Sequence, residues 1–161
     1  METNTIKDTT LNFLREKDRL TAVLATATMT GESHAAVVYY FVDEDFNFYF
    51  LTATNTKKHQ NLLANPQSSI VIGFGPSQTT IQGNGTATLL EKASDEENHT
   101  IALIKKRLQD HNGETWPVFQ LDTFDSESIA VFKFTPQSLH LLNLEQDNGL
   151  TVTTDDVHQI I

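Results

Sequence analysis

Residues 20–53, LTAVLATATMTGESHAAVVYYFVDEDFNFYFLTA, decide the fold. Three short runs rich in small, β-branched and aromatic residues are separated by two turn signals, Thr30-Gly31-Glu32 and Asp43-Glu44-Asp45. β-branched and aromatic side chains suit a pleated, half-buried surface, whereas Gly and Asp favour turns. In the last run Phe46, Phe48 and Phe50 alternate with Asn47, Tyr49 and Leu51. That is the two-residue period of a strand with two different faces. The spacing predicts three antiparallel strands joined by tight turns.

Upstream, residues 8–19, DTTLNFLREKDR, predict a short amphipathic helix capped by Asp8 or Thr9, with Leu11 and Leu14 on one face. Downstream, Asn55 or Thr56 caps a second helix with Leu62 and Leu63 on its apolar side, and Asn65-Pro66 ends it. Residues 68–74 read as a buried strand that turns at Gly75-Pro76. A long strand over 79–91 carries Gly83 and Gly85, which mark a bulge or a close backbone contact. A helix over 94–110 opens with Ser94 and Glu97 in capping-box spacing. Residues 111–127 form a polar loop holding Trp116. Two strands follow, IAVFKFTP from Ile129 and SLHLLNLE from Ser138, before a polar tail over 145–161 of uncertain order. Six or seven strands with short connections against two or three helices predict an all-β fold with flanking helices, an antiparallel sheet closed as a barrel.

The 161-residue length suits one domain, 1–161. Twenty-one Asp and Glu against 11 Lys and Arg leave a net charge of −10. Such a chain lacks the basic face a general nucleic-acid binder needs and is repelled by anionic lipid, so neither partner is expected. With no cysteine, disulfides, thiolate metal sites and cysteine nucleophiles are excluded. The six histidines show no HxH or HExxH spacing, and no metal site is expected. No apolar run approaches the ~20 residues of a membrane span, and the polar N-terminus is unlike a signal peptide. A cytoplasmic protein is expected.

The charges are unevenly distributed. From Phe46 to Leu90 there is no Asp or Glu, where the chain's average would place about six. The only full charges in that window are Lys57 and Lys58, at the predicted start of a helix and beside Thr52, Thr54, Asn55 and Thr56. A helix N-terminus presents open N–H groups and a positive dipole end. Lysine there opposes the dipole, and an anionic ligand, most simply a phosphate, reverses that penalty.

These residues carry a resemblance. GESHAAVVYY from Gly31, FYFLT from Phe48, TKKHQNLLANP from Thr56 and the strand holding Gly85-Thr-Ala follow one another over about residues 11–91. In that order they resemble the pyridoxamine 5′-phosphate oxidase-like FMN-binding split barrels. The resemblance implies that Ala35, Ala36, Val37, Val38, Tyr39 and Tyr40 run along the flavin ring and offer it backbone groups. It implies that Leu51 and Thr52 touch the ribityl-phosphate, and that Lys57 and Lys58 hold the phosphate where the family has Arg-Lys, with Thr56 in place of Ser. It places Thr80 and Gln82 on a strand with a polar side chain near the flavin. It implies a homodimer with each FMN at the interface.

The chain also departs from that pattern. Ala35 and Tyr40 stand where oxidases of vitamin B6 carry basic residues, and no Arg follows Arg107. The sequence therefore predicts an FMN-binding oxidoreductase of unknown substrate, fed by a reduced nicotinamide or another small reductant, rather than a pyridoxamine phosphate oxidase. Two alternatives stand beside it. One is a barrel that binds haem, with His34 or a tail histidine on the iron, or a deazaflavin. The other is a stress or storage protein that holds FMN without turnover.

Overall fold

The alternation at residues 46–51 becomes the two sides of a barrel wall. Phe46, Phe48 and Phe50 point into the main core, while Tyr49 and Leu51 belong to a second cluster outside it. The computed structural model describes residues 3–73, 79–111, 127–143 and 157–161. The elements run α1 (Thr3–Leu14), β1 (Thr21–Ala27), β2 (Ser33–Val42), β3 (Phe48–Ala53), α2 (Lys57–Ala64) and β4 (Gln67–Ile72). They continue with β5 (Thr79–Leu89), α3 (Asp95–Asp110), β6 (Ile129–Asn143) and β7 (Val157–Gln159). The sheet order is β3-β2-β1-β4-β5-β6-β7, all antiparallel, and β3 also pairs with β6. That last pairing closes six strands into a barrel, the split-barrel architecture expected.

The barrel interior is packed with Tyr40, Phe48, Phe50, Phe132 and Phe134, each almost fully buried. Phe50 stacks on Phe132 with ring centroids 5.6 Å apart. On the outside, α3 lays Ile101, Ile104 and Leu108 over Tyr39, Phe41, Tyr49, Leu51 and Val131. Its start is the predicted one: the Glu97 amide donates to Ser94 Oγ, and the Glu97 carboxylate turns back to accept the Ala93 amide at 2.6 Å.

Three expectations need correction. The first helix covers Thr3–Leu14, not 8–19. A distant side chain gathers its last carbonyl with two that follow it, for Arg107 Nη2 donates to the carbonyls of Leu14, Glu16 and Arg19 at 3.1, 3.4 and 2.6 Å. The chain leaves the helix at Arg15 to bring those carbonyls together. Second, the two predicted C-terminal strands are one 15-residue strand, β6. Pro136 sits opposite Gly85 at a bulge, where no ladder N–H is needed, and a Cβ on Gly85 would run into the Thr135 carbonyl. Third, part of the polar tail is ordered as β7, which takes the edge of β6 that β3 leaves, and Ile160 is buried in the core. The predicted turn at Gly75-Pro76 and the loop with Trp116 lie outside the described residues.

Candidate functional site

The β2–β3 pairing stops early, and the candidate residues lie where it stops. β2 pairs with β1 from Ser33 to Tyr39, but with β3 only at Tyr40, Phe41 and Val42. β3 follows β6 from Phe48 to Ala53. Beyond Tyr40 and Phe50 the two strands part. Ser33–Tyr39 keeps an edge that no strand among the described residues covers, and Leu51–Ala53 runs along the other side of the split. The chain then turns at Thr54-Asn55 into α2, whose first turn carries Lys57 and Lys58. An uncovered strand edge presents open backbone donors and acceptors, which suits the backbone role implied for Ala35–Tyr39, whereas Tyr40 is paired with Phe50.

Side chains on β2 alternate. Ala35 and Val37 face outward and are exposed, with Val37 at 57%. Tyr39 faces outward under α3, where burial pushes its phenol up to about 12. Ala36, Val38 and Tyr40 face inward. Tyr40 Oη donates to the Leu14 carbonyl at 2.6 Å inside the core, and its amide donates to the Leu20 carbonyl at 3.2 Å, so neither is open to a ligand at the edge.

On the opposite side, Leu51 is buried in the outer cluster. Thr52 is also buried, and its hydroxyl lies 2.9 Å from that of Thr56. Thr56 caps α2: its Oγ1 donates to the Ala53 carbonyl at 2.8 Å and accepts the His59 amide at 3.4 Å. The Gln60 amide donates to the Thr56 carbonyl. Among the described residues the Lys57 and Lys58 amides are thus left as the open pair of the first turn. The helix is fixed against the end of β1 by a buried bond from Asn61 Nδ2 to Thr26 Oγ1 at 3.1 Å.

The two ammonium groups differ. Lys57 is exposed and ion-paired to Glu32, which lies in the β1–β2 turn. The bond and charge of Lys57 hold the Glu32 carboxyl below its ordinary value. Lys58 is half-buried and has no hydrogen-bond or ion-pair partner among the described residues, and burial lowers its ammonium. His59 packs edge-on against Phe132, centroids 5.8 Å apart, with a buried Nδ1 that has no hydrogen-bond partner. Nothing in the sequence marked Glu32 beyond its place in a turn, because its contact spans 25 residues of chain.

Thr80 and Gln82 lie elsewhere. Gln82 is exposed on the outer face, in a lateral row that runs Val37, Val23, Val71, Gln82, His140, Gln159 across six strands. Three strand spacings, about 14 Å along the sheet, separate Gln82 from Val37. Thr80 is half-buried and its hydroxyl donates to the Gly73 carbonyl at 3.1 Å. One chain therefore gathers Ala35–Tyr40, Leu51, Thr52, Thr56, Lys57 and Lys58 around the split and leaves Thr80 and Gln82 apart. Among the described residues no group of three His, Asp or Glu could hold a metal ion, and no helix is long and apolar enough to cross a membrane.

The fold recurs in solved structures. The haem storage protein HutZ from Vibrio cholerae superposes with a TM-score of 0.65 at 19% identity, over 82% of this chain and 92% of that one. General Stress Protein 26 from Bacillus anthracis gives 0.58 at 19% identity, over 87% and 94%. ChuZ from Campylobacter jejuni gives 0.72 at 11% identity, over 99% of this chain but 61% of that one. No curated protein matches at a significant level. The model of the pyridoxamine 5′-phosphate oxidase family matches residues 6–143, nearly the whole described barrel, and the chain belongs to that family.

Proposed function

We propose that the chain binds FMN non-covalently in the β2–β3 split, with the phosphate at the start of α2, and serves as a cytoplasmic oxidoreductase. The observation that carries this reading is the acid-free window with its one Lys pair, set where the two open amides of Lys57 and Lys58 begin α2. Two amides and two cations suit the oxygens of a phosphomonoester. Family membership supports the same ligand, and the edge of Ala35–Tyr39 that β3 leaves uncovered suits a flat ring with polar margins. Bound FMN supplies the hydride or electron chemistry. The chain's residues bind the phosphate, hold the ring against β2 and shield one of its sides.

A homodimer belongs to this proposal. The outer face around Val23, Ala25, Ala35, Val37 and Val71 is small and apolar, with Val37 exposed. A second copy laid on that face covers it and brings Thr80 and Gln82 of one chain toward the split of the other. A second reading, haem in place of FMN, is favoured by one observation, the likeness to a haem storage protein. The absorption spectrum of the purified chain separates the two. Flavin absorbs at about 370 and 450 nm, and haem strongly at about 400 nm. Consumption of a reduced nicotinamide by the flavin-loaded chain then separates an oxidoreductase from a storage protein.

A further inference from the structure

Glu32 stands out among the acids of this chain. Thirteen carboxylates lie within the described residues, and only this one reaches the Lys pair in the acid-free window. Its backbone is fixed at both ends: the Glu32 amide donates to Thr28 Oγ1 at 3.0 Å, and its carbonyl accepts the Thr28 amide at 2.9 Å. Gly31, at φ +88°, turns the chain just before it. This tight turn delivers the carboxylate to Lys57 at the positive end of α2, where an anion is electrostatically favoured. Lys57 is thereby neutralised and Lys58 is not.

We infer that Glu32 is an internal competitor of the cofactor phosphate: in the ligand-free chain its carboxylate holds the place on Lys57 that a phosphomonoester takes on binding. The inference rests on the reading that a phosphate binds at the start of α2. The two anions are alike in charge and in hydrogen-bond acceptance, and Lys57 cannot serve both at full strength. A phosphate arriving at Lys58 and the open amides either displaces the carboxylate or meets its repulsion. Glu32 thus lowers affinity for every phosphorylated ligand and leaves untouched any ligand that lacks the phosphate.

The experiment uses two ligands, FMN and riboflavin, which share the ring and differ in the phosphate. Both are titrated by flavin fluorescence into the full chain, Glu32→Gln, Lys57→Ala, the double variant Glu32→Gln/Lys57→Ala, and Lys57→Ala/Lys58→Ala. Glu32→Gln should bind FMN about 2- to 5-fold more tightly, the size of one exposed ion pair. Its riboflavin affinity should be unchanged, and the gain should vanish when Lys57 is already Ala. Unchanged or weaker FMN binding by Glu32→Gln, or an equal gain without Lys57, overturns the inference. FMN affinity that survives Lys57→Ala/Lys58→Ala, or an absence of FMN binding, instead overturns the phosphate site itself.

Discussion

Lys58→Met separates a ligand-holding role for Lys58 from a structural one, because the two predict opposite changes in stability. Methionine keeps the length and apolar stem of the side chain and removes the charge. A charge-assisted bond to a phosphate oxygen contributes about 1.5–3 kcal/mol, so FMN should bind about ten- to a hundredfold more weakly. Lys57→Met should lose less. In the unaltered chain Lys57 must first release Glu32, and that exposed pair offsets about 0.2–1 kcal/mol of the gain. The ligand-free chain responds in the other direction. The ammonium of Lys58 is half-buried, without a partner among the described residues and set at the positive end of a helix, and burial lowers its pKa. Folding therefore works against its charged form at neutral pH, and Lys58→Met should melt higher than the parent. That difference should shrink as pH rises through the lowered pKa toward the ordinary lysine value, where the folded chain has already released the proton. Fluorescence titration with FMN and thermal melts of the ligand-free proteins read both effects. A variant that binds FMN like the parent, or that melts lower, refutes the reasoning.

Further outcomes follow from other parts of the molecule. Tyr40→Phe removes the 2.6 Å bond to the Leu14 carbonyl and should cost about 1 kcal/mol in denaturant unfolding at neutral pH. Burial pushes the Tyr40 phenol up to about 12, while an unfolded tyrosine ionises near about 10. Stability that is present below pH 10 should thus be lost toward pH 12, and less steeply in Tyr40→Phe. Val37→Glu places a charge on the exposed apolar face and should convert a dimer to an 18.0 kDa species in light scattering; a dimer that persists places the interface elsewhere. Pyridoxamine phosphate should be a poor substrate, since Glu114–Ile161 holds eight acids and Lys133 as its sole Lys or Arg. Turnover at ~1 per second or more, with FMN saturating, restores an oxidase assignment.

Local rules made much of the fold legible. The two faces of Phe46–Leu51 became two separate clusters because a barrel wall must bury one face inside while α3 buries the other. Ser94 caps its helix as its spacing announces, Thr56 rather than Asn55 caps α2, and the Gly83–Gly85 stretch holds the bulge. What stayed hidden depends on contacts far apart in sequence. The end of α1 is set by Arg107, 93 residues beyond Leu14. The continuity of β6 through Pro136 needs the bulge opposite Gly85. In the candidate site, the Lys pair was visible as a gap in the charge pattern. Its asymmetry was not, for Glu32 reaches Lys57 only after β1 and β2 have folded back on each other. The separation of Gln82 from the split likewise follows from strand order, which no local pattern encodes.

The most direct test of the account is the mass of the small molecule released when the purified chain is denatured. The account predicts FMN, at up to one molecule per chain, and its loss from Lys57→Ala/Lys58→Ala purified in the same way. Haem in its place, a deazaflavin, or riboflavin retained as well as FMN by both proteins would contradict it.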